Sequence, residues 1–272
     1  VHPECENGAE KITRAKLDEM LSEDKDVTRV CTSGITDLSF LFKAKSYASS
    51  FNQDISNWDV SNVTNMNQIF WGAESFNQDI GNWDVSNVTN LNHAFFQNYN
   101  FNQDIGDWDT SSVTTMAATF AHARSFNQDI SRWNTSNVAI IASIFSGAYA
   151  FNQPIGKWDT SNIIDLAGAF GNATSFNQPL DQWDTSNVTS FSGLFYNATS
   201  FNQNINNWII TDKKPIALSA IFHNATSFNQ PLNNWNISSV TFTENLFRGA
   251  TSFNQPLDQW DTSNVTQASN MF

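Results

Sequence analysis

The chain has 272 residues, 26 acidic and 13 basic, for a formal net charge of −13. That balance argues against nucleic acid or an anionic membrane as partner, and it fits a salty or extracellular setting, where screening weakens self-repulsion. No run of 18 apolar residues occurs, so no membrane-spanning helix is expected. The sequence begins at Val1, not Met, and reads as a processed or trimmed form whose signal or lipid anchor has been removed.

Residues 1–34 lack the pattern that governs the rest and read as an N-terminal cap. Ile12, Leu17, Met20 and Leu21 among charged neighbours predict a short amphipathic helix. It is placed to cover the edge and the apolar end of the first coil. Cys5 and Cys31 are the two cysteines of the chain. They read as a disulfide stapling the cap, which implies an oxidising compartment. Two reduced thiols are the alternative, and no metal-type spacing accompanies them.

From residue 35 to 272 the chain repeats. A half-repeat opens at Ile35, because Ile35, Thr36, Asp37, Leu38 and Phe42 match Val63, Thr64, Asn65, Met66 and Phe70. Nine copies of Phe-Asn-Gln then stand at 51, 76, 101, 126, 151, 176, 201, 228 and 253, seven steps being 25 residues and one 27. A Trp follows each Phe by seven residues, from Trp58 to Trp260. A fixed period of this length predicts a solenoid of stacked coils in which only neighbours touch.

One coil shows the plan. Trp58 and Val60 alternate as in a strand with both side chains inward. Position 60 is β-branched in every coil, which suits a pleated strand. Val63, Met66 and Phe70 are spaced by three and four, which predicts one or two helical turns. Either Ser61 or Thr64 could cap them. Residues 71–75 form a return. Strands pairing at about 4.8 Å per coil give a rod roughly 40 Å long. Ile209 to Pro215 replace the usual sequence and predict a bulge that breaks the ladder. The last repeat stops mid-coil at Phe272, so the protein is expected to continue, or to pack its open end on a partner. The Asn of every Phe-Asn-Gln predicts a ladder in which buried amides bond the neighbouring backbone and each other.

The run Phe-Asn-Gln-Asp-Ile-Ser-Asn-Trp-Asp-Val-Ser-Asn-Val-Thr-Asn-Met at 51–66 resembles the BspA-type, Mycoplasma-lipoprotein-type surface repeat. The resemblance covers about residues 35–272. It implies a leucine-rich-repeat-like solenoid on a surface or secreted protein, with adhesion or protein binding as its role. Departures are the Cys-bearing helical cap, the Asp-to-Pro change after Gln, and the irregular seventh coil.

The residues that could carry function lie outside the core columns. Asp54, Asp79, Asp104 and Asp129 stack at coil spacing and are either a weak Ca²⁺ site or a solvated acidic edge. Pro at the same column in later coils says that its backbone N–H is not needed in a ladder. Asp59, Asp84, Asp109, Asp159 and Asp184 alternate with inward residues and should face solvent. They are either the interaction face or Asx turns to the following residues. The Trp column reads as core, since nine exposed Trp would form a large sticky patch. Trp71, outside that column, is the better contact residue. The sequons at Asn172, Asn197 and Asn224 fall in return turns and are the accessible glycosylation candidates. No recurring His, Ser or Asp constellation suggests catalysis.

The sequence therefore reads as a non-enzymatic extracellular or cell-surface protein, a structural or adhesive interaction module without a cofactor unless the Ca²⁺ site is real. Its partner would be an extended protein or polysaccharide, with end-to-end assembly contacts open to it. The rival reading is a carbohydrate- or ice-binding solenoid that uses regular polar ladders, for which outward threonine rows would speak.

Overall fold

The structure, a computed structural model, describes Cys5, residues 9–210 and residues 216–272. Among the described residues it has an α-helix, α1 (Arg14–Ser22), a single 3-10 turn at Ala48–Ser50, and two short parallel strands, β1 (Ile216–Ala217) and β2 (Val240–Phe242). Thr13 caps α1 by accepting from the Lys16 N–H, and the helix buries Leu17 and Leu21. Everything else is a stack of coils made of turns. The bulge expected at 209–215 falls mainly on residues 211–215, outside the described residues.

Reverse turns close repeatedly along one coil. The N–H groups of Trp58, Val63, Ile69, Ala73 and Phe76 donate to the carbonyls of Ile55, Val60, Met66, Phe70 and Ala73 respectively. Each of these turn ends is buried. The three-and-four spacing over 63–70 therefore does not mark helix. It marks consecutive four-residue turns, and it puts side chains on one side as a helix would.

Inter-coil pairing also differs from expectation. The 58–60 segment carries no strand ladder. Instead the N–H groups of Met66, Gln68, Phe70 and Gly72 donate to Asn90, Asn92, Ala94 and Phe96 of the next coil at 2.8–3.0 Å. A row of parallel bridges, Asp37–Asn65–Asn90–Thr115–Ile140–Asp165–Ser190, starts this ladder. Alternate N–H groups (Ile69, Trp71, Ala73) close turns within the coil, so the segment bonds forward at every second residue only. Left-handed residues make this possible. Gln68 has φ 59° and Gly72 has φ 74°, and the equivalents recur to Asn245 and Gly249. Beyond the seventh-coil insertion the ladder resumes, with Gly193 N–H donating to Ser219.

The coils begin earlier than residue 35. Val27 takes the place of Ile55, because the Trp58 indole N–H donates to its carbonyl as Trp83 does to Ile55. Thr32 takes the place of Val60, its hydroxyl donating to the Asp59 carbonyl. Residues 27–42 match 55–70 at a constant offset of 28. This partial coil lacks Phe-Asn-Gln, which hid it. At its outer edge Arg14 donates to the carbonyls of Asp37 and Ser39 at 3.1 and 2.9 Å.

Inside, two phenylalanine columns run the length of the stack. Phe76, Phe101 and Phe126 follow one another at 6.0–6.1 Å between ring centroids. Phe95, Phe120 and Phe145 lie beside them, 4.0 Å separating Phe120 from Phe126. Trp83 to Trp235 are buried, each indole donating to the preceding coil's main chain. Full burial of such a side chain contributes about 1.5–3 kcal/mol.

Candidate functional surface

The invariant polar residues join coil to coil. Asn52 Oδ1 accepts from the Asn77 N–H at 2.9 Å and from the Gln78 amide at 3.0 Å, and Gln78 also donates to the Asn52 carbonyl. The same clasp recurs through Asn152, Asn177 and Gln178 to Asn229, Asn254 and Gln255. The expected Asn ladder is present, but it is half-buried to exposed, and its second partner is the next coil's Gln, not the next Asn. Threonines of the 60 column also point inward: Thr110, Thr135, Thr160 and Thr185 donate to main-chain carbonyls of the following coil.

Both aspartate columns are tied into Asx turns. Asp54, Asp79, Asp104 and Asp129 accept the N–H two residues on at 2.9–3.0 Å. Asp59, Asp84, Asp109, Asp159 and Asp184 do the same with a serine. Ser161, hydroxyl first and then N–H, holds Asp159 below the usual carboxylate range. Apart from the half-buried Asp59 these aspartates are exposed, and they form an acidic flank, which is not a sheet face because the ladder lies elsewhere. Among the described residues no three His, Cys, Asp or Glu side chains are grouped to hold a metal ion.

The sequons are less accessible than their turn position suggested. Asn172, Asn197 and Asn224 are half-buried and left-handed, with φ 57°, 55° and 57°. The Asn197 amide donates to Asn172 and the Asn224 amide to Asn197, at 2.8 and 2.9 Å. The nitrogens that would carry a glycan at 197 and 224 are thus bonded within a second amide ladder. Cys5 and Cys31 form a disulfide, with Cα atoms 5.0 Å apart. Cys31 stands where later coils have Asp59.

Coils differ at several outer columns, among them those of Asp54, Asn57 and Asn65, and on the outer side of the ladder segment at the positions of Gln68, Trp71 and Gly72. Trp71 is half-buried and stacks on His93 at 5.4 Å, with the Lys43 ammonium 4.5 Å over its ring. Phe96 touches both Trp71 and His93 and meets His122 edge-on. Arg124 lies 4.1 Å over Tyr99, and Tyr196 meets His223 edge-on at 4.9 Å. His93, His122 and His223 are each pushed below the ordinary imidazole range, first by burial and then by Lys43, Arg124 and Arg248 respectively. Sequence reasoning singled out Trp71 alone. The signal for the rest was present, because all three internal histidines fall on these few columns.

The fold and this surface define a tandem-repeat protein whose coils share one core and one set of inter-coil bonds and differ at their outer positions. The chain belongs to the family described as Mycoplasma protein of unknown function, DUF285, which matches residues 14–131, 79–178, 126–218 and 178–272. No curated protein matches it. Family and disulfide together point away from a reducing cytosol, and no helix among the described residues is long and apolar enough to cross a membrane.

Proposed function

We propose that this chain is a non-enzymatic extracellular or cell-surface interaction module, a leucine-rich-repeat-like solenoid of the BspA type with α1 and its disulfide as the N-terminal cap. One observation carries the reading. The recurring residues are used in the core and the inter-coil bonds, while many of the positions that differ from coil to coil lie outside, the ladder strip at Gln68, Trp71 and Gly72 holding all three internal histidines. Such a protein offers a long surface suited to an extended partner, with the ladder strip as its contact face and the aspartate columns as an acidic flank. The test is an affinity screen of the intact chain against surface glycans and proteins, with turnover assayed on any small molecule retained. Capture of an extended polymer without turnover is the expected result. Turnover of a bound small molecule overturns the reading.

The rival reading keeps partial support. Thr64, Thr89, Thr114 and Thr189 form an exposed row, each hydroxyl donating to the preceding coil's main chain. The row is interrupted by Ala139 and Ile164. A flat ice-binding face needs an unbroken row. A carbohydrate surface does not.

A further inference from the structure

One column of the ladder strip has an order that no other column shows. Read from coil to coil it is Lys43, Trp71, Phe96, Ala121, Ser146, Gly171, Tyr196, His223 and Arg248. Cations stand at both ends, aromatic rings lie inside them, and three small residues occupy the centre. The column is about 38 Å long at the usual inter-strand spacing. Small residues at the centre keep the strip low between two aromatic walls, with Ala121 and Gly171 buried and Ser146 half-buried. Phe96 with His122 forms one wall and Tyr196 with His223 the other. His122 lies close over Gly147, where an added Cβ would meet its Nδ1 at 2.5 Å, so it forms part of the floor.

Charge separates the strip from the rest of the molecule. The segments equivalent to 68–74 hold Lys43, Lys45, Arg124, Arg248 and the three internal histidines, against one carboxylate, Glu74. The segments equivalent to 54–59, from 26–31 onward, hold fourteen of the 26 acidic residues, against Arg29, Arg132 and Lys157. Elsewhere Arg14, Lys16, Lys25 and Arg132 stand beside carboxylates, as Arg14 does with Asp18 and Arg132 with Asp107. Lys43 and Arg124 instead lie over aromatic rings, and Arg248 is exposed. His93 Nδ1 is buried without a hydrogen-bond partner.

We propose that this column is the binding trough for an acidic polysaccharide, which deepens the interaction-module reading and rests on it. The ring walls offer apolar surface to the C–H faces of sugars, and Lys43, Arg124 and Arg248 pair with carboxylates along the polymer. An acidic peptide satisfies the cations but has no use for flat aromatic walls around a floor of small residues. A neutral polysaccharide uses the walls and leaves the cations without a role.

The experiment is binding of the intact chain to immobilised polygalacturonate, with dextran and poly-glutamate in parallel. Polygalacturonate should be retained in preference to both and released by salt, since such pairs are screened. Combined Lys43→Glu, Arg124→Glu and Arg248→Glu should weaken retention by at least about tenfold, a change of about 1.4 kcal/mol. Ser146→Trp should also weaken it by filling the floor, with an unchanged melting temperature as the folding control. Loss in the charge variant alone, with Ser146→Trp bound as well as the parent, overturns the trough. Equal or stronger binding of poly-glutamate or dextran, or no retention of polygalacturonate, overturns the proposal. Capture of a protein partner in the screen would meanwhile leave the interaction-module reading standing.

Discussion

At the residue scale the clasp between Phe-Asn-Gln motifs can be tested singly. Asn152 Oδ1 accepts from the Asn177 N–H and the Gln178 amide, so Asn152→Ala strands both donors at a half-buried site. A loss of about 1–3 kcal/mol is expected, toward the lower end because water reaches the site. An unchanged melting temperature would show that water replaces the clasp fully. The left-handed columns give a sharper contrast. Gly72 and Gly147 both have positive φ, at 74° and 68°, but an added Cβ at Gly72 meets nothing within 4 Å while at Gly147 it meets His122. Gly72→Ala should therefore cost only the backbone term of about 1–2 kcal/mol. Gly147→Ala should cost more, and His122→Ala should relieve the excess in a double-mutant cycle. Additive effects would mean that His122 moves aside freely.

Titration belongs to the same scale. His93, His122 and His223 have folded values below the ordinary 6.5. The unfolded chain thus binds more protons in the window just below 6.5, and stability should fall as pH drops through it. Asp54, Asp109, Asp129 and Asp159 sit below 3.8, chiefly through the serine two residues on. Their contribution is present above 3.8 and should disappear as pH falls beyond it. Melting temperature against pH should show two declines, the upper one removed by replacing the histidines with Gln. A flat profile from pH 7 to 5 would contradict the histidine part.

Among elements, the N-terminal one differs in kind. Arg14 fills the carbonyls of Asp37 and Ser39 that a preceding coil would otherwise engage, and the Cys5–Cys31 disulfide ties the chain ahead of α1 to the partial coil. Reduction should loosen α1 before the coils melt, seen as faster amide exchange at Leu17 and Leu21 than in the phenylalanine core. Two free thiols on alkylation and mass spectrometry without reductant would defeat the pairing. The partial coil was legible in principle, since residues 27–42 follow 55–70 at one offset. It was obscured because Val30 replaces Trp58 and Cys31 replaces Asp59, which removed the two strongest markers.

For the whole molecule, the period and the inward columns follow from sequence alone. Phe, Trp and the β-branched residues recur at fixed positions, and burial of recurring apolar groups forces each coil to stack on the next. The Asn of the clasp was legible too, because identical polar residues in register need identical partners, whereas its Gln partner emerged only from the stacked coils. Which segment carries the backbone ladder was decided by tertiary structure. Spacing by three and four is shared by a helix and by a run of turns with left-handed residues, and only the stacked backbone distinguishes them, through N–H groups that donate forward to the next coil. The outer strip follows from that choice. Once residues 66–72 bond forward, the positions of Gln68, Trp71 and Gly72 lie on the outer side, and a column that is scattered in sequence becomes continuous in space. Composition and periodicity report which residues must be buried together, whereas the outward order of the remaining ones depends on backbone handedness, which no residue type in these columns dictates by itself.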